Sequence, residues 1–228
     1  MIKLVSVSTA VLLWVFSLAV MAAGDRTEIH ASSNLVQPLL AGMEAPEFTV
    51  KRADGENFTF KAGELDRPLV LSFFRGGWCP YCNLHLSELR LAEKQLKEMG
   101  FDILFISIDK PELLLESLDE PDIGYTVLSD SSLDATRAFG LAFRVDDELN
   151  QRYLGFGIDL EKASGETHHV LPAPATYIIG IDGVINFAYI NPNYKVRLHP
   201  GVLLAAAKAY QEDADDRLVL RRKQDKKK

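Results

Sequence analysis

Hydrophobic and polar residues alternate along this chain in blocks that switch between strand-like and helix-like spacing. Phe48-Thr49-Val50 and Phe58-Thr59-Phe60 flank the turn Ala53-Asp54-Gly55-Glu56, which predicts a β-hairpin. Residues 68–74 (PLVLSFF) form a near-continuous apolar run, as expected of a strand buried on both faces. From Tyr81 to Met99 apolar positions at 84, 86, 89, 91, 92, 96 and 99 are mixed with Glu and Lys, and Gly100 follows. That spacing predicts a long amphipathic helix with a glycine C-cap. Residues 101–108 (FDILFISI) read as a second buried strand. A short helix over 111–118 with proline at its first position comes next, then a strand at 125–128 and a helix over 131–139. Thr176–Ile181 and Val184–Ile190 flank Asp182-Gly183 and predict a second hairpin, and residues 200–213 a closing helix. Residues 140–174 fit the alternation poorly; Asp146–Tyr153 reads as helical and the rest as an irregular insertion.

Strands that alternate with helices and end in an antiparallel hairpin predict an α/β sandwich with a mixed sheet. We expect one such domain over residues 42–212, a linker or loosely docked arm over 24–41, and a charged tail over 213–228. The first 23 residues are of another kind. Lys3 precedes an uncharged run from Leu4 to Val20, and small residues follow at Met21-Ala22-Ala23-Gly24. That is the order of a secretory signal peptide, with cleavage expected after Ala22 or one or two residues later. The body is therefore expected to be exported, periplasmic or secreted, and membrane-anchored if the leader is retained; the run is about 17 residues, the short edge for a span.

Composition narrows the functions. The chain has 228 residues, 47% of them hydrophobic, and a net charge of −7. Such a length can bury a full core, and the acidic balance argues against a nucleic-acid partner. The basic end, residues 221–228, reads mainly as a solvated tail, with anionic lipid as the lesser reading. Only two cysteines are present, so no disulfide scaffold holds the fold.

Those two cysteines carry the chemistry. Arg75-Gly76-Gly77-Trp78-Cys79-Pro80-Tyr81-Cys82 lies between a buried strand and a long helix. On a helix, residues three apart share a face with Cβ atoms about 5–6 Å apart, close to the reach of a disulfide. Pro80 suits the first turn, where its missing N–H would be unpaired. Cys79 then sits at the positive end of the helix dipole, with Arg75 adding charge. A thiol pKa lowered from ~8.5 to ~6.5 would raise the thiolate fraction at pH 7 from ~3% to ~75%. Cys79 is expected to attack, and Cys82, one turn inside, to resolve. A structural disulfide would close only a four-residue ring, and Cys79, Cys82 and His85 make only three zinc ligands.

Phe74 to Cys82 (FRGGWCPYC) in this setting resembles the thioredoxin-fold superfamily, and within it the peroxiredoxin-like branch of the alkyl hydroperoxide reductase/thiol-specific antioxidant (AhpC/TSA) family. The likeness extends over residues 42–210 and includes residues 42–48 (GMEAPEF), 156–160 (FGIDL), 177–183 (YIIGIDG) and 187–194 (FAYINPNY). It implies a thioredoxin-like three-layer sandwich and a Cys79/Cys82 dithiol–disulfide cycle that needs no cofactor. It also implies a cis-proline before the strand facing the cysteines, a place Pro174 takes. Two family groups are replaced: Gly76 stands where the family carries threonine, and Pro174 near the place of its arginine. Arg75 is the available peroxide-facing cation, and Trp78 a flat apolar rim.

Three functions follow. The first is an exported peroxidase acting on hydroperoxides and regenerated by a thioredoxin-like donor. The second is a thiol–disulfide oxidoreductase acting on exported client proteins, and the third a copper-binding module using both thiolates and a histidine. His85 reads as a satisfied or surface histidine before a proton relay, and His168-His169 as loop polarity. Gly155-Phe156-Gly157 lacks the third glycine of a dinucleotide loop.

Overall fold

The computed structural model describes residues 25–114 and 125–225, with side chains to residue 213. The leader expected over residues 1–23 lies outside them, as does the second half of the helix expected over 111–118.

Among the described residues nine strands form: β1 (Phe48–Lys51), β2 (Asn57–Phe60), β3 (Leu69–Phe73), β4 (Asp102–Ser107), β5 (Thr126–Ser129), β6 (Ala142–Arg144), β7 (Val170–Pro172), β8 (Ala175–Ile179) and β9 (Ile185–Ile190). The helices are α1 (Pro80–Glu98), α2 (Pro111–Leu114), α3 (Asp134–Ala138), α4 (Asp147–Gly155), α5 (Leu160–Ser164) and α6 (Pro200–Asp225). Seven strands make one sheet in the order β2-β1-β5-β4-β3-β8-β9. β3 pairs parallel with β4 and antiparallel with β8, and β4 pairs parallel with β5, so the sheet is mixed as expected. Both hairpins form, with Phe48 opposite Phe60 and Ala175 opposite Ile190.

Because strand residues alternate faces, β3 feeds two cores. Leu69, Leu71 and Phe73 pack with Phe48, Phe139 and Tyr177 on one side. Val70 and Phe74 pack on the other with Leu86, Leu89 and Leu96 of α1 and Leu203 and Ala207 of α6. With both faces covered, every residue of β3 is buried, which accounts for the unbroken apolar run.

Three regions add to the sequence reading. Of the two readings of residues 25–41, linker or docked arm, the contacts match the docked arm. The His30 amide donates to Ala142, Arg144 donates back to His30, and Leu39 is buried against Phe139. The insertion is ordered, not irregular. β6 and β7 form a small antiparallel sheet, with α4 and α5 between them and a core of Val145, Tyr153, Leu160 and Leu171. α4 matches the helix read from Asp146–Tyr153, and the Asp146 side chain caps it by accepting from Leu149 N–H at 2.7 Å. Lastly, α6 keeps a helical backbone to Asp225, past the expected end at 213. Beyond Gly201 the chain has no glycine or proline to stop it.

Candidate active site

β3 delivers the chain to the site and α1 carries it away. Cys79 is the N-cap of α1 with Pro80 at the first helical position, and Cys82 lies on the buried face of the first turn. Parallel pairing of β3 with β4 brings the C-terminal ends of both strands together. Residues 74–79, after β3, therefore face Asp109, two residues after β4. The Gly77 amide donates to Asp109 Oδ2 at 2.7 Å, Ser107 Oγ donates to the same oxygen at 3.2 Å, and Asn83 Nδ2 donates to the Gly77 carbonyl at 2.8 Å. These contacts pin the loop from both sides.

Gly76 is required in that loop. Its φ is +153°, and a Cβ there would lie 2.3 Å from Trp78 Nε1 and 2.7 Å from Asp109 Oδ1. The indole edge and the carboxylate occupy the space that any side chain at 76 would need.

Both cysteines are reduced and buried, Cys79 at 1% exposure and Cys82 at 0%. Their titration is split. The Cys82 thiol beside it, the positive charges of Arg75 and Arg197 and the Cys82 backbone N–H bring the Cys79 pKa down to about 6, against the opposing effect of burial. Burial, and the interaction with Cys79, push the Cys82 thiol well above its ordinary value, with Arg197 pulling the other way. Near neutral pH the first cysteine is the thiolate and the second the thiol, the asymmetry a dithiol cycle requires.

Arg75 is buried at 3% exposure. Its guanidinium lies 4.1 Å from the ring centre of Tyr194, 5.1 Å from Trp78 and 5.4 Å from Tyr153, and it donates to the Tyr153 hydroxyl. Its Nε has no hydrogen-bond partner among the described residues. A hollow of about 300 Å³ opens beside it, walled by Tyr153, Tyr194, Phe143, Leu149 and Pro174. A second hollow, of about 330 Å³, lies on the other side of the loop against Trp78, Asp109 and Lys162. α4 of the insertion supplies Tyr153, so the insertion forms part of the wall of the site.

Trp78 is half-buried between the cores of the sheet and the insertion. Pro174 borders the Arg75 hollow, but its peptide bond is trans, since no cis bond occurs among the described residues. The expected cis-proline is therefore corrected. β7 ends at Pro172 and β8 begins at Ala175, so the chain runs extended through residue 174, and no tight turn calls for a cis bond. His85 is buried and its Nε2 meets the Leu198 carbonyl at 3.2 Å. Burial and Arg197 hold its pKa near 4, so it is a neutral, satisfied histidine. His168 and His169 bond to Ser131 and Glu161.

Two residues of the site carried no local sequence signal. Asp109 is brought in by strand pairing, and burial raises its pKa to about 6. Arg197, in the loop after β9, reaches Cys82 Sγ with Nη2 at 3.1 Å across 115 residues of chain.

A dithiol at the junction of a central strand and a long helix, over a mixed sheet, defines a thioredoxin-like thiol oxidoreductase. The chain belongs to the AhpC/TSA family, which matches residues 41–188. Peroxiredoxin Bcp of Escherichia coli is 34% identical over 106 residues, 46% of this chain and 67% of that protein. The thiol-disulfide oxidoreductase ResA of Halalkalibacterium halodurans is 26% identical over 102 residues, 44% of this chain and 57% of the other. Among solved structures, the reduced 2-Cys peroxiredoxin of Plasmodium vivax superposes with a TM-score of 0.59 at 17% identity, over 78% of this chain and 85% of that one. Prx3 of Vibrio vulnificus gives 0.59 at 18%, over 76% and 98%. This protein is thus a thiol-dependent oxidoreductase of the peroxiredoxin kind on a thioredoxin-like fold.

Proposed function

We propose that this protein is an exported thiol peroxidase that reduces hydroperoxides through Cys79 and Cys82. The Cys79 thiolate attacks one peroxide oxygen and the O–O bond breaks. The other oxygen leaves as water or an alcohol after taking a proton, and Cys79 becomes a sulfenic acid. Cys82 then condenses with it to give the 79–82 disulfide and water, and a thioredoxin-like donor reduces that disulfide. The leader at residues 1–23 supports export.

The observation that carries the reading is a buried, thiolate-forming Cys79 under the charge of Arg75, whose side chain lines a hollow of about 300 Å³. A peroxide fits such a space and its developing oxyanion would face Arg75; a folded client disulfide needs an open groove. The likeness to ResA supports the second reading, thiol–disulfide exchange with exported clients.

The test mixes reduced protein with hydrogen peroxide and follows thiol loss, with insulin reduction measured in parallel. We expect oxidation at least about 100-fold faster than a free thiol and little insulin turnover. Cys79→Ser should abolish the reaction, whereas Cys82→Ser should stop at a sulfenic acid on Cys79. Ready insulin reduction with peroxide reactivity no better than a free thiol would establish exchange instead.

A further inference from the structure

Two arginines act on the pair, and one of them, Arg197, bonds to Cys82. Arg75 belongs to the strand–helix loop. Arg197 comes from the far end of the chain, after β9, and its Nη2 lies 3.1 Å from Cys82 Sγ. Cys82 is fully buried in the apolar cluster that holds Phe74, Leu86, Ile178 and Leu198. Among the described residues, Arg197 Nε and Nη1 are buried without a hydrogen-bond partner, so the guanidinium has donors to spare for an anion at this place. His85, one turn further along α1, cannot supply the charge, because its Nε2 is held by the Leu198 carbonyl and it stays neutral.

Cys82 must carry negative charge twice in a cycle. To close the disulfide, its thiolate attacks the sulfur of Cys79–SOH; the S–S bond forms, the S–O bond breaks, and the oxygen leaves with a proton as water. To reopen it, a donor thiolate attacks Cys79, the S–S bond breaks, and Cys82 leaves with the electron pair. In an apolar site neither event proceeds readily without a fixed positive charge on that sulfur.

We propose that Arg197 is the catalytic residue of the resolving half-reaction, stabilising the Cys82 thiolate as it attacks Cys79–SOH and as it leaves the 79–82 disulfide. This rests on the peroxidase reading for the closing step, while the opening step holds for either function.

The experiment uses Arg197→Met and the conservative Arg197→Lys. Peroxide is mixed with reduced protein, sulfenic acid is trapped with dimedone at timed intervals, and disulfide formation is followed as loss of the second thiol. Separately, the oxidised protein is reduced with dithiothreitol. Arg197 also adds the last and smallest of the effects that lower the Cys79 pKa, so rates are compared at pH 8, where Cys79 stays largely ionised; there the first oxidation in Arg197→Met should keep its rate within about threefold. Closing and reopening should each slow at least about tenfold, with dimedone adduct accumulating, and Arg197→Lys should recover part of the loss. Should Arg197→Met fail to fold, Arg197→Gln, which keeps a donor without the charge, carries the same measurements. Closing and reopening at wild-type rates would overturn the proposal, as would equal slowing of the first oxidation, which assigns Arg197 to Cys79. A wild-type peroxide reaction no faster than that of a free thiol would instead refute the peroxidase reading, and the dithiothreitol arm would still decide the role of Arg197.

Discussion

Replacing Arg75 by Met separates two effects of the same charge. Methionine keeps much of the side-chain length between Trp78, Tyr153 and Tyr194 and removes the cation. After the neighbouring thiol, Arg75 is the main group holding Cys79 near 6. Its loss should raise that pKa by about one unit, or ~1.4 kcal/mol. At pH 6 the thiolate would fall from ~50% to ~9%, about fivefold, whereas at pH 8 it would fall only from ~99% to ~91%. The second effect acts on the transition state. A charge-assisted contact to the departing oxygen is worth ~1.4 kcal/mol or more, at least tenfold at any pH. The ratio of wild-type to variant peroxide rate constants should therefore be about 10 at pH 8 and rise to about 50 at pH 6. Stopped-flow oxidation across that range, with iodoacetamide alkylation reporting the thiolate alone, measures both parts. A ratio near 1 at pH 8 would mean that Arg75 does not face the peroxide. A ratio that stays flat down to pH 6 would mean that it does not hold the ground-state thiolate.

Two further substitutions test the loop that carries the site. Gly76→Ala should cost about 2 kcal/mol or more, from a strained φ and the displacement of Trp78 and Asp109. Urea unfolding of a chain lacking the first 24 residues measures it, with emission from Trp78 as reporter because the other tryptophan is Trp14; wild-type stability and emission would show the contacts to be slack. Asp109→Asn keeps an acceptor for the Gly77 amide but removes a carboxyl whose folded pKa, about 6, is raised by burial above the usual 3.8. In the wild type the folded state binds the extra proton between those values, so stability falls as pH rises from about 4 to 6, by ~3 kcal/mol for this group. Asp130, raised to about 7 by burial, adds a slope of the same sign to both proteins. The variant should show the shallower fall in thermal unfolding, and identical slopes would refute the assignment.

The parts of the fold legible in the sequence were those set by local periodicity. The run over 68–74, the amphipathic pattern from Tyr81 and both Asp-Gly turns lead directly to β3, α1 and the two hairpins. The dithiol was legible for the same reason, since strand, Cys-x-x-Cys and helix are contiguous. What stayed hidden depends on contacts distant in sequence. The arm over 25–41 has no periodicity of its own and is ordered by β6 and by Phe139. The insertion has strands of three residues, too short to show alternation, and they exist only as a pair. Asp109 and Arg197 are an ordinary polar residue after a strand and a basic residue in a loop until the sheet brings their segments beside the thiols.

The two departures from the family pattern are explained together by the same geometry. A threonine cannot return to position 76, because its Cβ would enter the space filled by the Trp78 indole and the Asp109 carboxylate. No arginine stands at 174, where Pro174 instead lets the chain run extended from β7 into β8. The positive charge missing at 174 is supplied from two other positions. Arg75 is held in place by three aromatic rings, one of them contributed by α4 of the insertion and one by the loop after β9. Arg197 is placed by that same loop. The segments that read as least regular in the sequence thus set the charge on both sulfurs. Shortening the insertion so as to lose Tyr153 would leave Arg75 without its hydroxyl partner and widen the hollow beside Arg75. In the proposed mechanism that change weakens the preference for a small oxidant over a client disulfide while leaving the dithiol itself in place.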